Sequence, residues 1–222
     1  MRYYLLITAI LHSFAAPLAA GPWLREEGKT FLSTSINSTR TFETQSSTYL
    51  EFGLTKETTL GADLNLAAND PSGQNGSGVL FFRRALGPAE GKNKFAYEIG
   101  IGANWGSYGT RPTLKTGLTW GRGMQMGAKG GWVTVDGSLL WDVKSKDYRA
   151  KLDGTFGLNL GKATKGILEL NLGHSDGSTY ATFVPSLVVR PPITDFQIQF
   201  GIEAPLKGVA ANRIKIGLWR EF

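Results

Sequence analysis

Apolar residues recur at every second position, in short segments, from about residue 29 to the end of the chain. Leu60, Ala62, Leu64, Leu66 and Ala68 are interleaved with Gly61, Asp63, Asn65 and Ala67. Phe95, Tyr97, Ile99, Ile101, Ala103 and Trp105 are interleaved with Ala96, Glu98, Gly100, Gly102 and Asn104. Ala150–Leu160 and Phe196–Glu203 repeat the pattern. A period of two sends successive side chains to opposite faces of a strand, which no helix does. Past the N-terminal segment nothing approaches the ~18 consecutive apolar residues of a membrane helix, and Val79–Phe82 is about the longest run. Twelve segments follow: about 29–39, 47–56, 58–68, 78–86, 94–106, 112–121, 131–143, 147–160, 166–174, 180–190, 194–204 and 212–222. They are divided by turn formers such as Gly87-Pro88-Ala89-Glu90-Gly91 and Asp176-Gly177-Ser178. No linker or change of composition divides the chain, so residues 29–222 form one domain.

Short antiparallel strands build either a soluble sandwich or a closed barrel. One face of the alternation is nearly free of charge. The other carries Glu51, Asp63, Glu98, Lys115, Asp136, Lys151, Asp153, Glu169, Glu203 and Lys215. The aromatics fall at strand ends. Phe31, Phe95, Trp120, Trp132, Phe196 and Trp219 are expected at one rim; Tyr49, Trp105, Trp141, Tyr148 and Tyr180 are expected at the other. Two aromatic girdles suit a bilayer, where amphipathic rings settle at headgroup level, and a sandwich has no use for them. The expected fold class is therefore all-β, a closed antiparallel transmembrane β-barrel of twelve strands, with ten or fourteen as alternatives. These ten charges then line its lumen, and Trp105, Trp120, Trp132, Trp141 and Trp219 mark the membrane interface. Closure also satisfies every backbone group in lipid and removes exposed edges. The 29 glycines among 222 residues suit tight curvature and close strand packing, with Gly100 and Gly102 facing inward. Two places strain the pattern. Pro185 falls inside a strand and removes a ladder donor, which a bulge or a strand end would resolve. Gly121 to Gly131 is long for a turn.

The N-terminus reads as an address. Arg2, the apolar run from Leu5 to Leu11 and the small residues Ala15 to Ala20 form a secretory signal, expected to be cut after Ala20. Residues 21–28 then form a short periplasmic leader, Pro22-Trp23-Leu24-Arg25-Glu26-Glu27 within it, able to fold into the lower mouth as a small stopper. Zero cysteines exclude thiolate metal sites, thiol catalysis, disulfides and a lipid anchor. No cofactor and no metal are implied; calcium at Asp70 and Asp176 has no supporting ligand spacing.

The chain ends Ile214-Lys215-Ile216-Gly217-Leu218-Trp219-Arg220-Glu221-Phe222. This alternating last strand with a terminal phenylalanine resembles the C-terminal signature of Gram-negative outer-membrane barrels, with Arg220 interrupting the apolar series. Glu51-Phe52-Gly53-Leu54-Thr55 with Thr59-Leu60-Gly61 resembles a hairpin of small porin and transporter-like barrels. The resemblance implies the bacterial outer membrane, with Phe222 as an assembly signal read by the barrel-assembly machinery. It also implies outer-membrane lipids and lipopolysaccharide as surroundings. The formal net charge of +6 does not indicate nucleic acid, because the bases are scattered over turns. Lys92, Lys94, Arg122, Lys129, Lys162, Lys165 and Arg190 would instead meet anionic headgroups at the lower rim.

The functional expectation is a small passive channel for polar or cationic small solutes. Acids outnumber lysines seven to three on the charged face, and such a lining favours cations. The alternatives are a plugged structural or interaction barrel without conductance and an outer-leaflet lipid hydrolase using His174. The hydrolase reading rests on Leu172-Gly173-His174-Ser175-Asp176 near the upper end of a strand. Spacing opposes it, since adjacent His174 and Ser175 point to opposite faces.

Overall fold

A computed structural model describes residues 21–68, 75–87, 90–107, 109–145, 147–175, 177–208 and 211–222. The signal segment and the carboxylates Asp70 and Asp176 lie outside the described residues. The alternating segments form twelve strands: β1 (Thr30–Ser38), β2 (Thr44–Thr55), β3 (Thr58–Ala68), β4 (Asn75–Leu86), β5 (Asn93–Gly106) and β6 (Gly109–Met126), then β7 (Lys129–Asp142), β8 (Tyr148–Asn159), β9 (Thr164–Ser175), β10 (Ser178–Val189), β11 (Phe196–Lys207) and β12 (Arg213–Glu221). Each pairs antiparallel with its sequence neighbours, and β1 pairs with β12 from Phe31↔Glu221 to Ser38↔Ile214, closing the barrel. Beyond the seam the Phe222 amide donates to the Thr30 carbonyl at 3.0 Å and the Thr30 amide donates to the Phe222 carbonyl at 2.7 Å. Twelve is even, so both ends of the wall lie at one mouth, the lower one.

The barrel is inverted relative to a soluble protein. Ile101 is 65 % exposed and Leu118 63 % on the outside, while Glu51 is fully buried within. Water would not tolerate that wall of aliphatic side chains; hydrocarbon selects it. The two strained places also resolve. β6 continues to Met126 and β7 starts at Lys129, so the long stretch from Gly121 to Gly131 is ladder around a two-residue turn. Pro185 stays within β10 and pairs with Leu168 of β9. The β10–β11 ladder skips Val184 and Pro185, where an amide donor is missing, and a bulge lies upstream between Ala181 and Thr182.

Several aromatics expected at the membrane interface are not there. Trp132 and Trp219 point inward, 2 % and 9 % exposed, and pack with Phe31, Ile167 and Val188 in a cluster inside the lower barrel. The Phe31 and Trp219 rings meet edge to face at 6.1 Å. Tyr49 packs against this cluster and Tyr180 lines the cavity above it. Parity is the reason. Trp132 shares the face of Thr134 and Asp136, and Trp219 that of Gly217 and Lys215; nearness to a strand end does not outweigh the alternation. Trp120 and Trp141 are on the outer face, with the Trp141 and Tyr148 rings tilted at 46° and their centroids 5.7 Å apart. Trp105 lies across Gly76 at the upper rim.

The inward rings need floor space on the wall, and glycine supplies it. A Cβ on Gly157 would sit 2.1 Å from Trp132, one on Gly61 2.1 Å from Phe81, and one on Gly173 2.1 Å from Tyr180. Each glycine is the direct cross-strand partner of the ring it accommodates. The ring covers the bare backbone of its neighbour, which recovers packing that a strand glycine lacks.

Candidate functional site

The lumen is the site, and it divides into a filled lower part and an open chamber above. Residues 21–27 do not join the wall; they run across the inside. A Cβ on Gly21 would lie 2.8 Å from Thr134 of β7, and one on Gly121 of β6 would lie 2.7 Å from both Pro22 and Trp23. Trp23 packs on the inward aromatic cluster. The Arg25 amide donates to Thr59 Oγ1 of β3 at 2.9 Å, and the Gly28 amide to the Gly53 carbonyl of β2 at 2.8 Å. The segment thus spans the lower mouth from the β6–β7 wall to the β2–β3 wall.

Five charges alternate in sign beside it. Arg25 Nε donates to Glu51 Oε2 at 2.5 Å, and Arg83 Nη1 donates to the other oxygen of Glu51. Arg83 Nε and Nη2 donate to Glu98 Oε1 at 2.8 and 2.5 Å, and Lys115 Nζ lies 2.7 Å from Glu98 Oε2. The Tyr49 hydroxyl donates to Glu51 at 2.6 Å and accepts from Arg83 at 2.7 Å. The Lys115 ammonium also stands 4.2 Å over the Phe81 ring. Burial of so many charges is tolerable because each has an opposite neighbour and shared hydrogen bonds.

Above this floor lies a cavity of about 940 Å³, with Gly21 of the leader in its lining. Of the residues expected inside, Asp63, Glu98, Lys115, Asp136, Lys151, Asp153, Glu169, Glu203 and Lys215 border the cavity, and Glu51 lies buried in the floor. Three ion pairs brace the chamber: Lys151–Asp153 at 3.3 Å, Arg213–Glu203 at 3.4 Å and Lys215–Glu169 at 2.9 Å. The expected excess of acids is corrected. Arg83, Arg149, Lys207 and Arg213 also line the cavity, which makes seven bases against six acids. Arg149 and Arg213 share the face of Lys151 and Lys215, so alternation reveals them. Arg83 was hidden in an apolar run that shows no alternation. Lys207 was hidden because β11 extends past the expected strand end. Among the described residues, Arg149 and Lys207 have no ion-pair partner.

His174 stands on the outer face near the upper end of β9. Its Nδ1 lies 3.2 Å from Thr179 Oγ1, and its ring is 6.4 Å from that of Tyr148. Adjacent Ser175 projects to the other face, so the structure does not bring His174 and Ser175 together as base and nucleophile. Phe222 lies on the outer face under the Arg220 guanidinium, 5.4 Å from its ring centroid.

This is a twelve-stranded barrel of the outer-membrane type. Among solved structures it is similar to the KdgM porin, at 11 % identity and a TM-score of 0.59, covering 87 % of this chain and 99 % of that one. It is also similar to the COG4313 outer membrane channel from Pseudomonas putida F1, at 14 % identity and a TM-score of 0.53, covering 90 % and 97 %. A third similar structure is LpxR from Salmonella typhimurium, at 6 % identity and a TM-score of 0.55, covering 86 % and 99 %. At these identities the likeness is one of fold. No protein-family model and no curated protein matches the sequence.

Proposed function

We propose that the protein is an outer-membrane channel for small polar solutes, with the lumen as its path. The observation that carries this reading is the cavity of about 940 Å³ inside a closed barrel, lined by charged and amide side chains behind an apolar outer wall. Similar folds bear the names of a porin and of an outer membrane channel, which agrees with the reading. With seven bases facing six acids, the lining supports neutral and zwitterionic solutes better than a preference for cations. In the same reading Phe222 and the outward face of β12 engage the barrel-assembly machinery, the termini face the periplasm, and the outer wall meets lipid and lipopolysaccharide.

The test is current through the protein in planar bilayers, with heat-modifiable gel migration as the control for folding. Discrete steps with a reversal potential near zero in a salt gradient are expected. A folded barrel that stays silent with residues 21–27 present and with them deleted would refute the channel. The filled lower mouth favours a second reading, a permanently closed structural barrel, and the same comparison separates the two.

A further inference from the structure

We infer that residues 21–27 are a withdrawable plug, a chain segment that closes the lower mouth and whose release opens a continuous polar path. This rests on the channel reading above. Three observations carry it.

The segment is inside the barrel but not of it. No residue of 21–27 joins a strand ladder; its main chain meets the wall through the Arg25 amide on Thr59, with the adjoining Gly28 amide on Gly53, and the Arg25 side chain pairs with Glu51 and Glu221. Departure therefore breaks no rung of the closed sheet, on which the fold depends.

The wall is complete without it. Glu51 keeps Arg83 and the Tyr49 hydroxyl, and Glu98 keeps Arg83 and Lys115. Release leaves no wall carboxylate stranded, and Arg25 passes from a buried pair to water, where its charge is solvated. An element meant to stay would be expected to complete the wall network; this one is attached to its end.

The segment is also the boundary of the chamber. Gly21 lines the cavity, and Thr134, the residue against which Gly21 packs, is 1 % exposed. Trp23 stops the lumen by packing on the inward aromatic cluster, an apolar contact.

The experiment compares the full chain, a chain lacking residues 22–27, and the double variant Trp23→Ala/Arg25→Ala, which keeps the segment and its main-chain bonds but removes the indole packing and the guanidinium ion pairs. If the deletion fails to give heat-modifiable barrels, the double variant replaces it. Two quantities are read: bilayer conductance, and the rate at which a membrane-impermeant maleimide labels a single cysteine at Thr134→Cys, the chain having no cysteine of its own. The expected result is a conductance several-fold larger than that of the full chain, with labelling faster by roughly tenfold or more, since a closed state only ~1.4 kcal/mol more stable than the open one already gives that factor. Equal conducting steps and equal labelling in all forms would overturn the plug and leave the channel standing. Folded variants that label faster yet carry no current would overturn the channel reading, and the plug as a gate with it.

Discussion

Replacing Glu51 by alanine is expected to destabilise the barrel by about 3 kcal/mol. Glu51 has no exposed surface and accepts from Arg25, Arg83 and Tyr49. Removing one member of a buried ion pair costs ~3–5 kcal/mol, most of it the stranding of the partner's charge. Two partners are stranded unequally. Arg83 keeps Glu98, whose Oε1 accepts from both its Nε and its Nη2, whereas Arg25 keeps Glu221 at 3.4 Å, an acid 43 % exposed, and its place 4.4 Å over the Phe31 ring. That places the loss at the low end of the range, about a hundredfold in the folding equilibrium. Glu51→Gln retains shape and an acceptor oxygen but turns charge-assisted hydrogen bonds into neutral ones, and about 1–2 kcal/mol should go. The assay is reversible urea unfolding into lipid vesicles, followed by tryptophan fluorescence. The control is Glu57→Ala, which breaks the exposed pair with Arg84 at 3.2 Å and should change stability by less than about 1 kcal/mol. Equal losses for Glu51→Ala and Glu57→Ala would refute the reasoning, because the floor network would then contribute no more than a surface pair.

Other outcomes follow from single contacts. Gly157→Ala puts a methyl 2.1 Å from the Trp132 ring and should cost about 1–3 kcal/mol by overpacking, whereas Gly123→Ala meets nothing within 4 Å and should cost under ~1; urea midpoints decide between them. Ile101→Arg, on the outer wall, should destabilise by about 2–4 kcal/mol in lipid, and a neutral result in vesicles would contradict the membrane-facing assignment. Arg149→Gln with Lys207→Gln removes two unpaired bases from the chamber and should move the reversal potential toward cations; an unchanged value would remove the chamber from the conduction path.

Alternation is a local property, and what it dictates was legible in the sequence. It determines that the chain forms strands, how many there are, and which side of each meets lipid, because Cβ direction follows from residue parity alone. The two inward tryptophans were legible too: Trp132 has the parity of Asp136, and Trp219 that of Lys215. Their nearness to strand ends does not override that parity. Other features needed the closed barrel. Lys215 meets Glu169 from a strand three places away, and Arg25 approaches Glu221 across 196 residues of sequence. Such pairs exist only after closure fixes which walls face each other, so no window of sequence contains them. The leader's place is of the same kind. Pro22, Trp23 and Arg25 carry no periodicity that points inward, and only the finished lumen, with Gly121 beneath the indole and Glu51 already held by Arg83, provides a socket for them. Parity is written residue by residue along the chain, whereas the floor of the lumen is a property of twelve strands acting together.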